Sequence, residues 1–208
     1  MLYACARVIR EIIIAWLIRL FTTNDTVRHK MLETVAREIK GKRLSGCVAE
    51  LGVYKGDFAR FINHYFPAHK LYLFDTFDGF DERDVEIENC YDNHAQKNDF
   101  TNKDVNLVLK KMKYPANCVI KKGWFPETAR DVDERFLFVS IDADLYEPIY
   151  QGLLYFYPRL ERGGYIFVHD YNGEVYDGAK KAVHKFSSEY NVPYVPLNDL
   201  CGSVVFSK

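Results

Sequence analysis

The feature that most limits how this chain can fold is the alternation, from Thr22 onward, of short apolar runs with segments of helical spacing. Parallel strands need crossover segments and the crossovers cover the sheet, so the alternation implies an α/β sheet sandwiched by helices. The spacing predicts a helix capped by Asp25 or Thr26, with Val27, Met31, Leu32, Val35 and Ile39 on its apolar face and Gly41 at its end. Strands are predicted at Cys47–Leu51, Lys70–Phe74, Cys118–Lys121 and Phe136–Ile141. A helix over about Glu147–Leu160 should turn at Gly163-Gly164 into a fifth strand, Tyr165–Val168. A helix over Gly178–Tyr190 then leads to two short strands around Tyr194-Val195 and Val204–Phe206.

The chain has 208 residues, 48% of them hydrophobic, enough for one domain with a core that needs no disulfide or structural metal. A net charge of -1 excludes a nucleic-acid binder that works by neutralising many phosphates. Five cysteines (Cys5, Cys47, Cys90, Cys118, Cys201), none in a C-x-x-C pair, fit free thiols in a reducing compartment and no zinc-finger spacing. Ile12–Ile18 is an apolar run too short to span a bilayer, and no small-residue cleavage site follows it, so a cytoplasmic protein without a membrane span is expected. Ile9, Ile12, Ile13, Trp16, Leu17 and Leu20 make residues 1–24 an amphipathic helix. Its expected cover is its own domain or a second copy in a homo-oligomer, rather than a lipid surface. Residues 25–208 form the single main domain.

Between the second and third strands a polar stretch, 78–102, precedes a short helix at about Lys103–Met112. It reads as a lid or substrate loop, with Tyr91, Asp92, Asn93 and His94 facing a ligand, or as a solvated insertion.

The chemistry sits at strand ends. Where the first strand meets a helix starting near Asp57, Gly52 and Gly56 form a G-x-x-x-G turn that lets the backbone approach a ligand. The G-x-G-x-x-G of a pyrophosphate site is missing. Glu50, before the turn, suits an ammonium or sulfonium charge, and Asp75, at the end of the second strand, can accept from ribose hydroxyls. Together they point to an adenosine ligand without a pyrophosphate, a description S-adenosylmethionine meets. Asp142, His169 and Asp170, at the next two strand ends, can hold a divalent cation or supply a base, whereas Asp144 can simply cap the helix that follows it.

The stretches ELGVYKGDFA, LFDTFDGF, KGWFPET, SIDADLYEPI, LERGGYIFVHDY and PLNDLCGSVVFSK, in that order, resemble the macrocin O-methyltransferase (TylF/MycF/NovP) family over about Asp25–Lys208. The resemblance implies a class I methyltransferase fold: a Rossmann-like sandwich around a seven-stranded, mostly parallel sheet. It also implies S-adenosylmethionine, usually with Mg²⁺, and methylation of sugar hydroxyls of macrolide and aminocoumarin antibiotics. By the same resemblance Glu50, Gly52 and Gly56 lie along the methionine end of the cofactor. Asp75, Thr76 and Phe77 hold and flank the ribose, Gly123 and Trp124 border the adenine, and Asp142 reaches cofactor and metal. The metal positions are Asp142, His169 and Asp170, and Asp142 and His169 are the catalytic candidates. His169 departs from the aspartate frequent in the family, and imidazole favours Mn²⁺ or a softer metal over Mg²⁺. It is open as a ligand, a general base in a metal-free site, or a structural histidine. The resulting expectation is an O-methyltransferase for a sugar or glycosylated small molecule. A catechol or phenol O-methyltransferase, or a non-catalytic S-adenosylmethionine-binding interaction protein, are the alternatives.

Overall fold

The computed structural model describes residues 26–91, 94–173 and 175–208. The expected helix at 1–24 and the candidate lid residues Asp92 and Asn93 lie outside them. Helix α1 (Thr26–Gly41) leads into β1 (Cys47–Leu51), α2 (Ala59–Tyr65), β2 (Leu71–Asp75), α3 (Glu82–Asn89), α4 (Val105–Lys111) and β3 (Cys118–Lys122). Then come β4 (Phe136–Ile141), α5 (Tyr146–Arg159), β5 (Leu160–Val168), α6 (Gly178–Tyr190), β6 (Val195–Leu197) and β7 (Ser203–Ser207). The seven strands run in the order β3-β2-β1-β4-β5-β7-β6. The first five pair in parallel, and β7 is antiparallel to both of its neighbours.

Both faces of the sheet are covered, which is why β1 and β4 are buried at every position and read as unbroken apolar runs. On one face Ala49, Phe74, Val139 and Ile141 pack with Leu153 and Phe156 of α5 and Phe186 of α6. On the other, Val48, Leu73 and Phe138 pack with Leu32, Val35 and Ile39 of α1 and Ile62 of α2. Each fully buried Phe or Leu contributes about 1.5–3 kcal/mol to the fold.

Three expectations change. Gly163 and Gly164 do not precede β5 but lie inside it: pairing passes from Phe136↔Leu160 to Phe138↔Tyr165, and the surplus residues bulge with Gly163 at φ +89°. The stretch 78–102 is not wholly loop, since it contains α3, started by Asp81, whose side chain accepts from Arg83 N. On α1, Val27 is 45% exposed whereas Arg28 points inward at 4%. Among the described residues no helix is long and apolar enough to cross a membrane.

Register aligns the strand ends. Leu51 pairs with Ile141 and Ile141 with Val168, and beyond the ladder Asp142 N donates to Leu51 O at 2.8 Å and His169 N to Ile141 O at 2.9 Å. The residues after β1, β4 and β5 therefore lie side by side at the carboxyl edge of the sheet, where open α/β sheets bind ligands.

Candidate active site

A cavity of about 1290 Å³ opens at this edge. Single drug-sized ligands occupy roughly 300–1,000 Å³, so a nucleoside and a second molecule can share it. Glu50, Gly52, Asp75, Thr76, Gly123, Trp124, Asp142, His169 and Asp170 all line it. Gly56 and Phe77 do not. Gly56, at φ +75°, faces α4, where a Cβ would come within 2.8 Å of Val108 Cγ1, and Phe77 is 0% exposed in the core beneath α1 and α2.

At the glycine turn the main constraint is close backbone packing. Gly52 is at φ +85°, and a Cβ there would stand 1.9 Å from the Asp142 carbonyl oxygen. Glu50 is 1% exposed, and its Oε2 has no hydrogen-bond partner among the described residues. Burial first, then the negative charge of Asp142, pushes its carboxyl well above the usual range. A buried carboxyl with an unpartnered oxygen, at a cavity wall, is the complement an ammonium group requires. These residues fit the amino-acid end of S-adenosylmethionine.

Asp75 clamps the turn as well as facing the cavity. Its Oδ2 accepts from Val53 N and Tyr54 N, both at 2.7 Å, and its Oδ1 from Phe77 N at 2.6 Å. A carboxylate has about four acceptor positions, which leaves room for about one ribose hydroxyl rather than two. Thr76 Oγ1 donates to Gly79 O.

The loop reaches the cavity through residues other than those expected. Tyr91 is turned away, its ring tilted against that of Tyr146 with centroids 5.4 Å apart, and His94 is exposed. Phe80, Asp84, Asp99 and Phe100 line the cavity instead. Asp84 accepts from Trp124 Nε1 with both oxygens at 3.1 Å, while Arg83 covers the Trp124 ring at 3.6 Å. Burial raises the Asp84 carboxyl to about 7, against the Trp124 hydrogen bond, which lowers it.

At the ends of β4 and β5, Asp142, His169 and Asp170 offer ligand atoms within 4.8 Å of one another. His169 Nδ1 lies 3.1 Å from Asp142 Oδ1 and 2.9 Å from Asp170 Oδ1. Its Nε2 lies 3.0 Å from Leu200 O, a pure acceptor, so Nε2 carries a proton. Burial opposes a charge on His169, whereas the Asp142 carboxylate and hydrogen bonding to Asp142 and Asp170 favour it and raise the imidazole to about 11.

Arg28 completes the cluster. Its guanidinium donates to Asp142 Oδ2 and to Ser140 Oγ, each at 2.8 Å, with the Phe58 ring 3.8 Å beneath it. Burial works against the Asp142 charge, yet Arg28 and His169 hold its carboxyl well below the usual range. Mg²⁺ wants hard oxygen ligands and little competing positive charge. One of the three donors is an imidazole nitrogen and another, Asp142, is already paired with Arg28, so these residues do not fit Mg²⁺.

Asp144 does not cap α5: the N-cap is Leu145, no side chain caps it, and Glu88 accepts from Tyr146 N at 2.7 Å instead. Asp144 lines the cavity with a left-handed backbone, φ +59°, which is uncommon for a residue other than glycine. Burial first, then the charges of Asp170 and Asp142, raises its carboxyl well above the usual range.

A curated protein from Streptomyces olivaceus, 8-demethyl-8-(2,3-dimethoxy-alpha-L-rhamnosyl)-tetracenomycin-C 4'-O-methyltransferase, is 25% identical over 179 residues. The match takes in 77% of this chain, which spans about two thirds (65%) of that relative's length. The solved structure of the O-methyltransferase NovP superposes with a TM-score of 0.72 at 19% identity, covering 87% of this chain and 79% of that one. CalS11, a calicheamicin methyltransferase, gives 0.69 at 18% identity, covering 88% and 79%. The sequence profile of the Macrocin-O-methyltransferase (TylF) family matches residues 19–208, and the chain belongs to that family.

Proposed function

We propose that the protein is an S-adenosylmethionine-dependent O-methyltransferase acting on a hydroxyl of a sugar or glycosylated small molecule. The observation that carries this reading is one cavity with a buried carboxyl on its wall, Glu50, whose Oε2 has no hydrogen-bond partner among the described residues, and a carboxylate cluster at the neighbouring strand ends. The relative that methylates a rhamnosyl group favours a sugar over a catechol acceptor. A cavity roomy enough for two molecules favours an enzyme over a cofactor-binding interaction protein. Four described cysteines without disulfides agree with work in the cytoplasm.

Bound in the cavity, S-adenosylmethionine supplies an electrophilic methyl group on a sulfonium. Glu50 takes the ammonium, Asp75 one ribose hydroxyl, and Gly123 and Trp124 the side of the adenine. An acceptor hydroxyl would be held beside Asp142 and Asp144, which line the same cavity, and that positioning would supply much of the acceleration. The carbon–oxygen bond forms as the carbon–sulfur bond breaks, leaving a neutral thioether that needs no acid. The hydroxyl proton passes to a base. His169, whose Nε2 faces Leu200 O and whose Nδ1 faces Asp142 and Asp170, is not that base. Asp144 is: a carboxylate made more basic by burial and by its acidic neighbours is the group matched to the task.

A labelled-methyl transfer screen over glycosides, nucleotide sugars and catechols tests the reading. Label in a sugar-bearing acceptor is expected. Label in catechols alone would move the acceptor class, and failure to bind S-adenosylmethionine or its thioether product would remove the enzyme.

A further inference from the structure

The strand-end acids already hold a cation that belongs to the chain. Arg28 is the third residue of α1 and, at 4% exposed, is the one charged residue on the helix's buried stripe. Among the described residues it meets Asp142 Oδ2 at 2.8 Å, Ser140 Oγ at 2.8 Å and the Phe58 ring at 3.8 Å. Asp142 is thus shared between a guanidinium on Oδ2 and the His169 ring on Oδ1. A divalent ion seated among Asp142, His169 and Asp170 would meet the Arg28 charge across a single carboxylate, in a half-buried setting where repulsion is poorly screened. Moving Arg28 away would break a bond to a charged group and leave a guanidinium buried without that partner.

We propose that Arg28 is the resident counter-ion of the strand-end acids, that it stands in place of a divalent metal, and that the protein works without one. Arg28 acts here as a positioning residue, holding Asp142 ionised and oriented. The proposal rests on the methyltransferase reading only for the word "works", and the metal part is read without turnover.

Mn²⁺ is titrated into the full chain and followed by the loss of its free-ion electron paramagnetic resonance signal. The unaltered protein should show no saturable binding at the site. Arg28→Met, which keeps much of the side-chain volume, should bind Mn²⁺ at least about tenfold more tightly, and Asp170→Asn added to it should abolish the gain. His169→Asp alone should stay a poor Mn²⁺ binder, because Arg28 is still present, and the double change with Arg28→Met should bind most tightly of all. Saturable Mn²⁺ binding by the unaltered protein that Asp170→Asn removes would overturn the proposal. So would His169→Asp binding as tightly as the double variant, a result that needs no folded Arg28→Met protein alone. Calorimetric binding of the thioether product to the same preparations reports the cofactor site separately. Its absence would refute the methyltransferase reading and leave the Mn²⁺ result to decide the counter-ion. With an acceptor in hand, turnover should be unchanged by a chelator, and loss of turnover restored by added metal would also overturn it.

Discussion

Replacing Asp75 separates two roles that one carboxylate combines. Asp75→Ala deletes the acceptor of three backbone N–H groups, those of Val53, Tyr54 and Phe77. Val53 and Phe77 are 4% and 0% exposed, so their donors are stranded, while Tyr54 is half-exposed and its N–H can turn to water. A stranded buried donor costs about 1–3 kcal/mol, so the two predict a loss of about 2–6 kcal/mol. Asp75→Asn keeps an oxygen for Val53 and Tyr54 but sets its amide nitrogen against Phe77 N–H. One donor is then stranded, at about 1–3 kcal/mol. In a chain of this size each kcal/mol moves the melting temperature by about 2–4 °C. Both variants should melt lower than the unaltered protein, Ala below Asn. Both should also bind S-adenosylmethionine more weakly, Ala by about tenfold to over a hundredfold, because the remaining acceptor position for ribose is gone. Urea unfolding and calorimetric titration on the same preparations read the two effects. An unchanged unfolding midpoint in Asp75→Ala would refute the clamp, and an unchanged dissociation constant in the folded protein would refute the ribose contact.

Asp144→Asn should lower kcat by about 10²–10⁴-fold while cofactor affinity holds. The unaltered enzyme should lose rate as pH falls through the raised Asp144 value, because the base becomes protonated, and the variant's residual rate should lack that limb. Gly52→Ala should yield little folded protein, about 4 kcal/mol or more of destabilisation, since its Cβ would overlap the Asp142 carbonyl; normal melting would contradict the turn geometry. Asp84 has a raised carboxyl, so the fold favours its neutral form, and its contribution to stability falls as pH rises from about 4 to about 7. Asp84→Asn, compared with the unaltered protein by urea unfolding, should remove that decline, on the order of 4 kcal/mol. Parallel curves would show that Asp84 does not titrate in this range.

The sheet was readable because burial on both faces writes strands as short apolar runs, and because strand ends collect the polar residues. That logic found Glu50, Asp75, Asp142, His169 and Asp170 at the cavity. It over-read neighbours: Gly56 and Phe77 flank the right turns, but one serves α4 and the other the core. Arg28 carried a signal that was passed over, for it stands on the stripe Arg28, Leu32, Val35, Ala36, Ile39, and a charged residue on a buried stripe implies a buried partner. Asp144 was hidden by an equally good local explanation, helix capping, which only Glu88 approaching from α3 removes. Helix α3 was obscured by its composition, since the residues it buries are Asp84 and Glu88 rather than apolar ones.

The order of the strands has a consequence for how the chain emerges from the ribosome. Strands β1 to β4 are consecutive in sequence up to residue 141, so the cofactor half of the sheet can assemble while synthesis continues. The other half cannot, because β7 lies between β5 and β6, and Leu200 O, which holds the His169 ring, comes just before it. Until residues 200–207 are free of the exit tunnel, β5 is an open sheet edge and His169 is without its carbonyl. A stall in that interval would leave a nascent chain with its glycine turn formed and its acid cluster unassembled. Released chains ending before residue 200 and after residue 207 should differ sharply in their resistance to protease.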